Sequence, residues 1–363
     1  EHFVDVQSDF GNVLIRGQYN YSTLPQSFIN LIASRLPTIP GLPAATNAST
    51  NNFAIIANIH DASFAQELLQ IPVTLYQPLH MKGFMNDQEH QFEADIEAPD
   101  FEYDGNHFSD GRIHMLTRGD ALTSTSYINK VYDDGRNLAL DIQASAADNK
   151  LQTIIDWDFN QSKPLQGVIN AETEFFTNEQ GKSAAHMRIH PSEVLIDNTR
   201  WELHPSDIVY SDKQLNIDHF QLNNNKQHII VSGMATNNPA DSLTVDLQDI
   251  DVAYILDLVN FHNVSFAGYA SGRAVMKDIF GTPHTYTNLE VKDFLFQNGR
   301  MGVLHANANY AFNEGKINID ATTNDVEPYG GTIIKGYVSP KNNDMDLQIL
   351  AKNTRLEFAE SFC

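Results

Sequence analysis

Fourteen histidines and forty-six acidic residues supply the groups from which a metal site or an acid–base pair could be built. His186 and His190 stand four apart, the spacing at which two imidazoles share one metal on a helix. Pro191 and the β-like sequence that follows disfavour a helix there. On a strand, residues four apart share a face but lie roughly 13 Å from one another, beyond the reach of one ion. No HExxH motif is present, and no metal ligand is assigned. Carboxylates cluster at Asp133-Asp134, at Asp156 and Asp158 around Trp157, and at Asp249 and Asp251. Glycoside hydrolysis needs two carboxyl groups that converge in a cleft with separated pKa values, and closeness in sequence does not supply that. With so many acids, solvated faces and turns account for the pairs. The sequence has no GxSxG, no phosphate-binding loop and no GxGxxG. The lone cysteine, Cys363, is the last residue, so an internal disulfide and a Cys-rich zinc site are both excluded. No catalytic residue and no cofactor are expected, and the chain is read as a non-enzyme.

Bulk charge points the same way. Twenty-three basic residues against forty-six acidic ones leave a net charge of −23, whose mean field repels phosphate backbones and anionic surfaces. Nucleic acid is therefore set aside as a partner. No apolar run approaches the roughly 18 residues that would span a bilayer as a helix. The chain opens at Glu1 and stops at Ser361-Phe362-Cys363, and is expected to be an internal piece of something longer.

The elements that must position any site are strands. Leu138, Leu140, Ile142 and Ala144 alternate with polar or small residues; so do Leu215 and Ile217, Leu243, Val245 and Leu247, and Ile317 and Ile319. Period two with one apolar face predicts half-buried strands. Short polar turns such as Asn178–Gly181, Asn223–Asn225 and Asn313–Gly315 suit antiparallel hairpins. Three stretches carry a helical stripe instead: 24–36, with Pro25 in the first turn; 61–70, opening at Asp61; and 251–260, opening at Asp251. Residues 37–52, with three prolines, are expected to be a mobile loop.

The second and third helical stretches begin 190 residues apart, at Asp61 and Asp251. Each is followed by a strand with a glycine beside a basic residue, Lys82-Gly83 and Gly272-Arg273. Farther on, Asp95–Tyr103 aligns with Asn288–Phe296, and Phe101 and Phe294 stand 193 apart. Matching order at nearly equal offsets predicts a duplication. The expected organisation is a strand pair, helix and Pro-rich loop over 1–52, a first β repeat over 53–240 and a second, truncated repeat over 241–363. The fold class that follows is mainly β, an elongated antiparallel sheet with a few short amphipathic helices. Roughly 25 strands stacked at ~4.8 Å would extend about 120 Å.

The series Trp201–Tyr210, Leu215–Phe220, Ile229–Gly233 and Asp241–Val245, with Val291–Gly299 and the early Gly17-Gln18-Tyr19, resembles the TamB family of translocation and assembly module proteins, related to AsmA. The resemblance implies a periplasmic segment of an inner-membrane-anchored envelope protein, its sheet curled into a trough (a β-taco). It implies a phospholipid or other acyl-chain ligand, an inner-membrane anchor N-terminal to this segment, and an Omp85-class outer-membrane barrel docked by a C-terminal region. The family's roles are phospholipid traffic between the membranes and outer-membrane protein assembly and secretion. The candidate groove lining is then Ile96, Phe101, Tyr103, Leu138, Leu140, Ile142, Leu215, Ile217, Phe220, Leu243, Val245, Leu247, Leu289, Val291, Phe294 and Phe296. A charge at Ile142, Val245 or Val291 is expected to block transport and leave the fold intact. Two other readings suit the same composition: a carbohydrate-binding or carbohydrate-acting β-protein, and a structural spacer or adhesin of stacked β-sandwiches.

Overall fold

The computed structural model describes residues 2–43, 45–46, 50–63, 70–132, 135–160, 164–253, 265–297, 299–324, 331–339 and 344–351. These residues form twenty-four strands and one α-helix of ten residues, and the fold is mainly β and antiparallel. The chain divides into two compact units, residues 1–202 and 203–363. This division reports packing, whereas the joint expected at 240/241 reports repetition.

Unit one contains β1 (His2–Ser8), β2 (Gly11–Gln18), α1 (Leu24–Ala33), β3 (Asn52–Ile59), β4 (Val73–Leu75), β5 (Leu79–Asn86), β6 (Gln91–Tyr103), β7 (Asn106–Arg118), β8 (Ala121–Val131), β9 (Asn137–Ala147), β10 (Lys150–Asn160), β11 (Leu165–Thr177), β12 (Ser183–Ile189) and β13 (Ser192–Ile196). β14 (Thr199–Leu203) follows. Unit two continues with β15 (Ser206–Ser211), β16 (Gln214–Asn224), β17 (Gln227–Ala235), β18 (Ser242–Asp251), β19 (Phe266–Lys277), β20 (His284–Phe296), β21 (Gly299–Ala311), β22 (Lys316–Asn324), β23 (Thr332–Ser339) and β24 (Asp344–Ala351). Most strands pair with their neighbours in sequence, as short polar turns require. The exceptions within unit one are β4, which pairs with β6 and leaves β3 to pair with β5, and β11, which pairs with β13 as well as with β12.

Residues directly opposite one another on neighbouring strands point to the same face, so the register sorts every side chain. In unit one a single cross-strand row runs Ala57, Met81, Ile96, Ile113, Ser126, Ile142, Ile155 and Ile169. The parallel row on the other face runs Lys82, Asp95, His114, Thr125, Gln143, Ile154 and Asn170. In unit two Phe220, Val231, Val245, Ala274, Thr287, Ala308, Ile319 and Leu347 share the apolar face, while Asp246, Arg273, Asn288, Asn307, Asp320, Lys335 and Gln348 share the polar one.

Long strands keep this segregation by inserting bulges where the apolar residues change phase. Ile217 to Phe220, Leu247 to Ile250 and Val291 to Phe294 are steps of three, and each coincides with a register shift. The extra residue in each case, His219, Asp249 or Asp293, has φ near +50°. Asp is among the few residue types that tolerate the left-handed region, because its short polar side chain bonds locally. The repeat spacing also appears in the architecture. The hairpin β6–β7 and the hairpin β20–β21 each comprise two thirteen-residue strands, and every boundary of the second lies 193 residues after that of the first. Register further aligns Lys82 with Arg273, since Lys82 pairs with Asp95 and Arg273 with Asn288, while the two neighbouring glycines fall out of step.

α1 lays its apolar stripe on the apolar face of unit one. Leu31 packs with Phe53 and Met85, and Leu36 packs with Ala146 and Phe175; Leu122 touches both groups. β3 and β11 are seven strands apart, roughly 34 Å if the sheet were flat. Leu36 lies three residues past the end of α1, and five residues of chain span at most about 18 Å. The sheet of unit one must therefore curl to bring both ends onto the helix and the turn that follows it. Buried hydrogen bonds fix the helix there. Ser27 Oγ donates to Asp87 Oδ2 at 2.8 Å, the Asn51 backbone N–H donates to the same oxygen at 2.8 Å, and Asn51 Nδ2 donates to Ser27 Oγ at 2.8 Å. At the helix C-terminus Arg35 Nη2 donates to His90 O, and Asn149 N donates to Arg35 O.

The expected mobile loop at 37–52 is thus partly tied down. Thr38 donates through its backbone N and its Oγ1 to Asn149 Oδ1, Ile39 packs beside Leu36, and Asn51 is buried. The helical stretches expected at 61–70 and 251–260 lie mostly outside the described residues. Their openings are as expected for side-chain caps: Asp61 accepts from Ser63 N and Asp251 from Ala253 N.

The exposed bulge residue Asp293 isolates the conformational requirement. Asp293→Val should lower stability by about 1–2 kcal/mol, since a β-branched residue resists positive φ, whereas Asp293→Gly should cost far less. Urea unfolding of both variants would measure this; equal losses would place the requirement in the carboxylate instead.

Candidate functional site

All sixteen groove-lining candidates lie on the apolar face of their own unit by register. They do not share one environment. Val291, Phe294 and Phe296 are 3–4% exposed and belong to a packed cluster with Ala270, Met301, Leu304, Ile334 and Val338. The expectation that a charge at Val291 leaves the fold intact therefore fails on packing grounds. Leu138, Leu140 and Ile142, together with Leu215, Ile217, Phe220, Leu243, Val245 and Leu247, are half-buried, as are Ile96, Phe101 and Leu289; Tyr103 is exposed. Unit two thus closes part of its apolar face over β19–β24 and leaves the part on β16–β18 partly accessible. Unit one keeps β8–β10 partly accessible beyond the end covered by α1.

Aromatic side chains line the accessible part of unit one. Phe101 stacks on Phe108 with centroids 5.3 Å apart. Trp157 shares the apolar face with Leu140 and Gly167, and a Cβ at Gly167 would sit 2.8 Å from the indole, so glycine provides the ring's seat. Beyond it, Phe159 contacts Tyr132 at 5.4 Å. Trp157 and Phe159 lie outside the sequence-derived groove lining, although Leu151, Thr153, Ile155, Trp157 and Phe159 alternate as clearly as the stretch from Leu138. The acidic neighbours of Trp157, Asp156 and Asp158, fall on the polar face, so the carboxylates and the indole lie on opposite sides of the sheet. A sugar-binding platform of Trp157 flanked by those two acids is not formed. His186 lies on strand β12, and His190 just past its end.

The polar face carries carboxylates bridged to cations. Asp246 accepts from His228 at 3.0 Å and faces Arg273 at 3.3 Å. Asp95 lies between His114 and Lys82, the latter at 3.2 Å. The hydrogen bond from His228 holds the Asp246 carboxyl below the usual range, with Arg273 adding to it and partial burial opposing. His114, then Lys82, do the same for Asp95, against a similar opposition from burial.

Compared with protein-family models, curated proteins and solved structures, the chain matches none.

Two tests follow from this geometry. Val291→Asp should destabilise by about 4 kcal/mol or more, because it buries a charge without a partner, while Ile142→Asp should cost much less. Circular dichroism and urea melts would separate them, and equal effects would contradict the difference in burial. In the second test, a carboxyl depressed in the folded state contributes stability that is complete above the unfolded value near ~3.9 and disappears as pH falls through the lower folded value. The urea midpoint of the wild type should therefore fall more steeply below about pH 4 than that of Asp246→Asn. Parallel pH profiles would rule out the assigned pair.

Proposed function

We propose that this chain is a non-enzymatic, envelope-spanning scaffold whose apolar face carries phospholipid between the inner and outer membranes and/or supports outer-membrane protein assembly and secretion. In this reading it is a periplasmic segment of a TamB-like protein, anchored in the inner membrane and docked to an Omp85-class barrel through regions outside this segment. The observation that carries the reading is the composition of the apolar face. Rows of aliphatic and aromatic side chains eight strands long remain only half-buried on β8–β10 and β16–β18, where a packed core would have removed them from water. Each methylene of an acyl chain laid on such a surface gains about 0.8 kcal/mol, so a lipid is held without specific polar contacts along its tail.

The direct test places a photo-crosslinking amino acid at Leu140, on the accessible apolar face, and at Gln143, on the polar face, and exposes the purified chain to phospholipid vesicles. Crosslinking to lipid is expected at position 140 and not at position 143. Equal or absent crosslinking at both positions would reject the lipid role.

A further inference from the structure

Among register-paired strand residues of either unit, Lys130 is the only Asp, Glu, Lys or Arg on the apolar face. It stands directly between Phe108 on β7 and Leu138 on β9, half-buried, one residue before the end of β8. No carboxylate among the described residues pairs with it. Its ammonium lies 4.9 Å from the centroid of the Tyr132 ring. A second cation approaches the same aromatic pair: the Arg136 guanidinium lies 5.3 Å from the Tyr132 ring and 5.4 Å from the Phe159 ring. Sharing one ring at these distances puts the two cations within about 10 Å of each other. The turn between them, with Asp133 and Asp134, lies outside the described residues, and Arg136 has further contacts of its own. The inference therefore rests on Lys130.

Chemistry and position coincide here. α1 covers the apolar face at the opposite ends of these strands, around Leu122, Ala146 and Leu151. The accessible stretch of Leu138, Leu140, Ile142, Trp157 and Phe159 runs toward the strand ends away from α1, and the cations stand at that rim. An acyl chain lying on this stretch would bring its polar end to Lys130. In a chain of net charge −23 the mean field opposes anions, so a local cation on an otherwise uncharged face decides which headgroup is tolerated.

We propose that Lys130, with Arg136 beside it, is the headgroup-selecting site of the apolar face, and that its ligand is an anionic amphiphile, one acyl-bearing molecule with a phosphate or carboxylate head. This rests on the lipid-carrying reading above. The test uses the delipidated chain incubated with vesicles of equal phosphatidylglycerol and phosphatidylcholine, and separately with oleate, followed by native mass spectrometry of the bound species. The wild type is expected to take phosphatidylglycerol over phosphatidylcholine by about five-fold, the scale of one cation near a headgroup. Lys130→Met, which keeps the apolar stem, should bring the ratio to near one by lowering phosphatidylglycerol uptake, with phosphatidylcholine uptake unchanged. Lys130→Glu should invert the ratio, and Lys130→Arg should restore it. Circular dichroism would confirm that each variant remains folded. Oleate uptake that also depends on Lys130 would identify a general anion-head site; dependence with phosphatidylglycerol alone would identify phosphate. Lipid uptake with a ratio unmoved by Lys130→Met would overturn this proposal and leave the lipid-carrying reading standing. A wild type that takes up neither phospholipid nor oleate would remove both.

Discussion

The structure depends on one constraint: side chains alternate across a strand, and antiparallel register carries that alternation from each strand to the next. A slip of one residue in any pairing would send an apolar row to the polar side. The rows through Ile96, Ile113, Ile142 and Ile155, and through Val231, Val245 and Ala274, persist because no such slip occurs. Long strands must bend, and the bulges supply the bend without losing the phase. At Ile217/Phe220, Leu247/Ile250 and Val291/Phe294 the backbone absorbs one extra residue just where the apolar pattern steps by three. Pattern and backbone agree locally, as they must for one register to win over its competitors.

A face that is apolar throughout has to be dealt with, and the two units do so differently. Unit one covers its turn-side end with α1, whose hold combines aliphatic packing at Leu31 and Leu36 with the buried hydrogen bonds of Ser27, Asn51 and Asp87. Those polar bonds give the helix a single seat, because each buried group left unpaired would cost about 1–3 kcal/mol. Unit two folds its long β20–β21 hairpin and the strands after it into a dry cluster around Phe294, Phe296 and Met301. What stays accessible in each unit is a stretch of greasy surface, and Lys130 of unit one is the one Asp, Glu, Lys or Arg among the register-paired strand residues of these faces. The polar faces, by contrast, carry carboxylates paired with histidine, lysine and arginine, which keep an extended sheet surface hydrated.

Much of this was legible in the residues. The strands from Leu138, Leu215 and Leu243, the hairpin turns, the helix from Leu24 and the 193-residue spacing of two hairpins all follow from local periodicity and turn chemistry. These signals need only near neighbours in the chain. Local periodicity does not report what lies above the sheet, and that decides how far a residue is buried. Val291 and Ile142 alternate alike, yet one is packed and the other half-open. Thr38 and Asn51 sit in or beside a Pro-rich stretch that reads as a loose loop, yet Asn149 and Asp87 hold them from far along the chain.

By itself, then, the sequence determined that the protein is built of one-sided antiparallel strands, which residues face which way, and that no familiar catalytic motif is encoded, because these are matters of residue type and period. Only the tertiary structure decided which part of the apolar face is closed and which is left to water, and that Lys130 stands on that face between Phe108 and Leu138. Those outcomes depend on register and on curling, which join residues distant in the chain and have no signature in any single stretch of it.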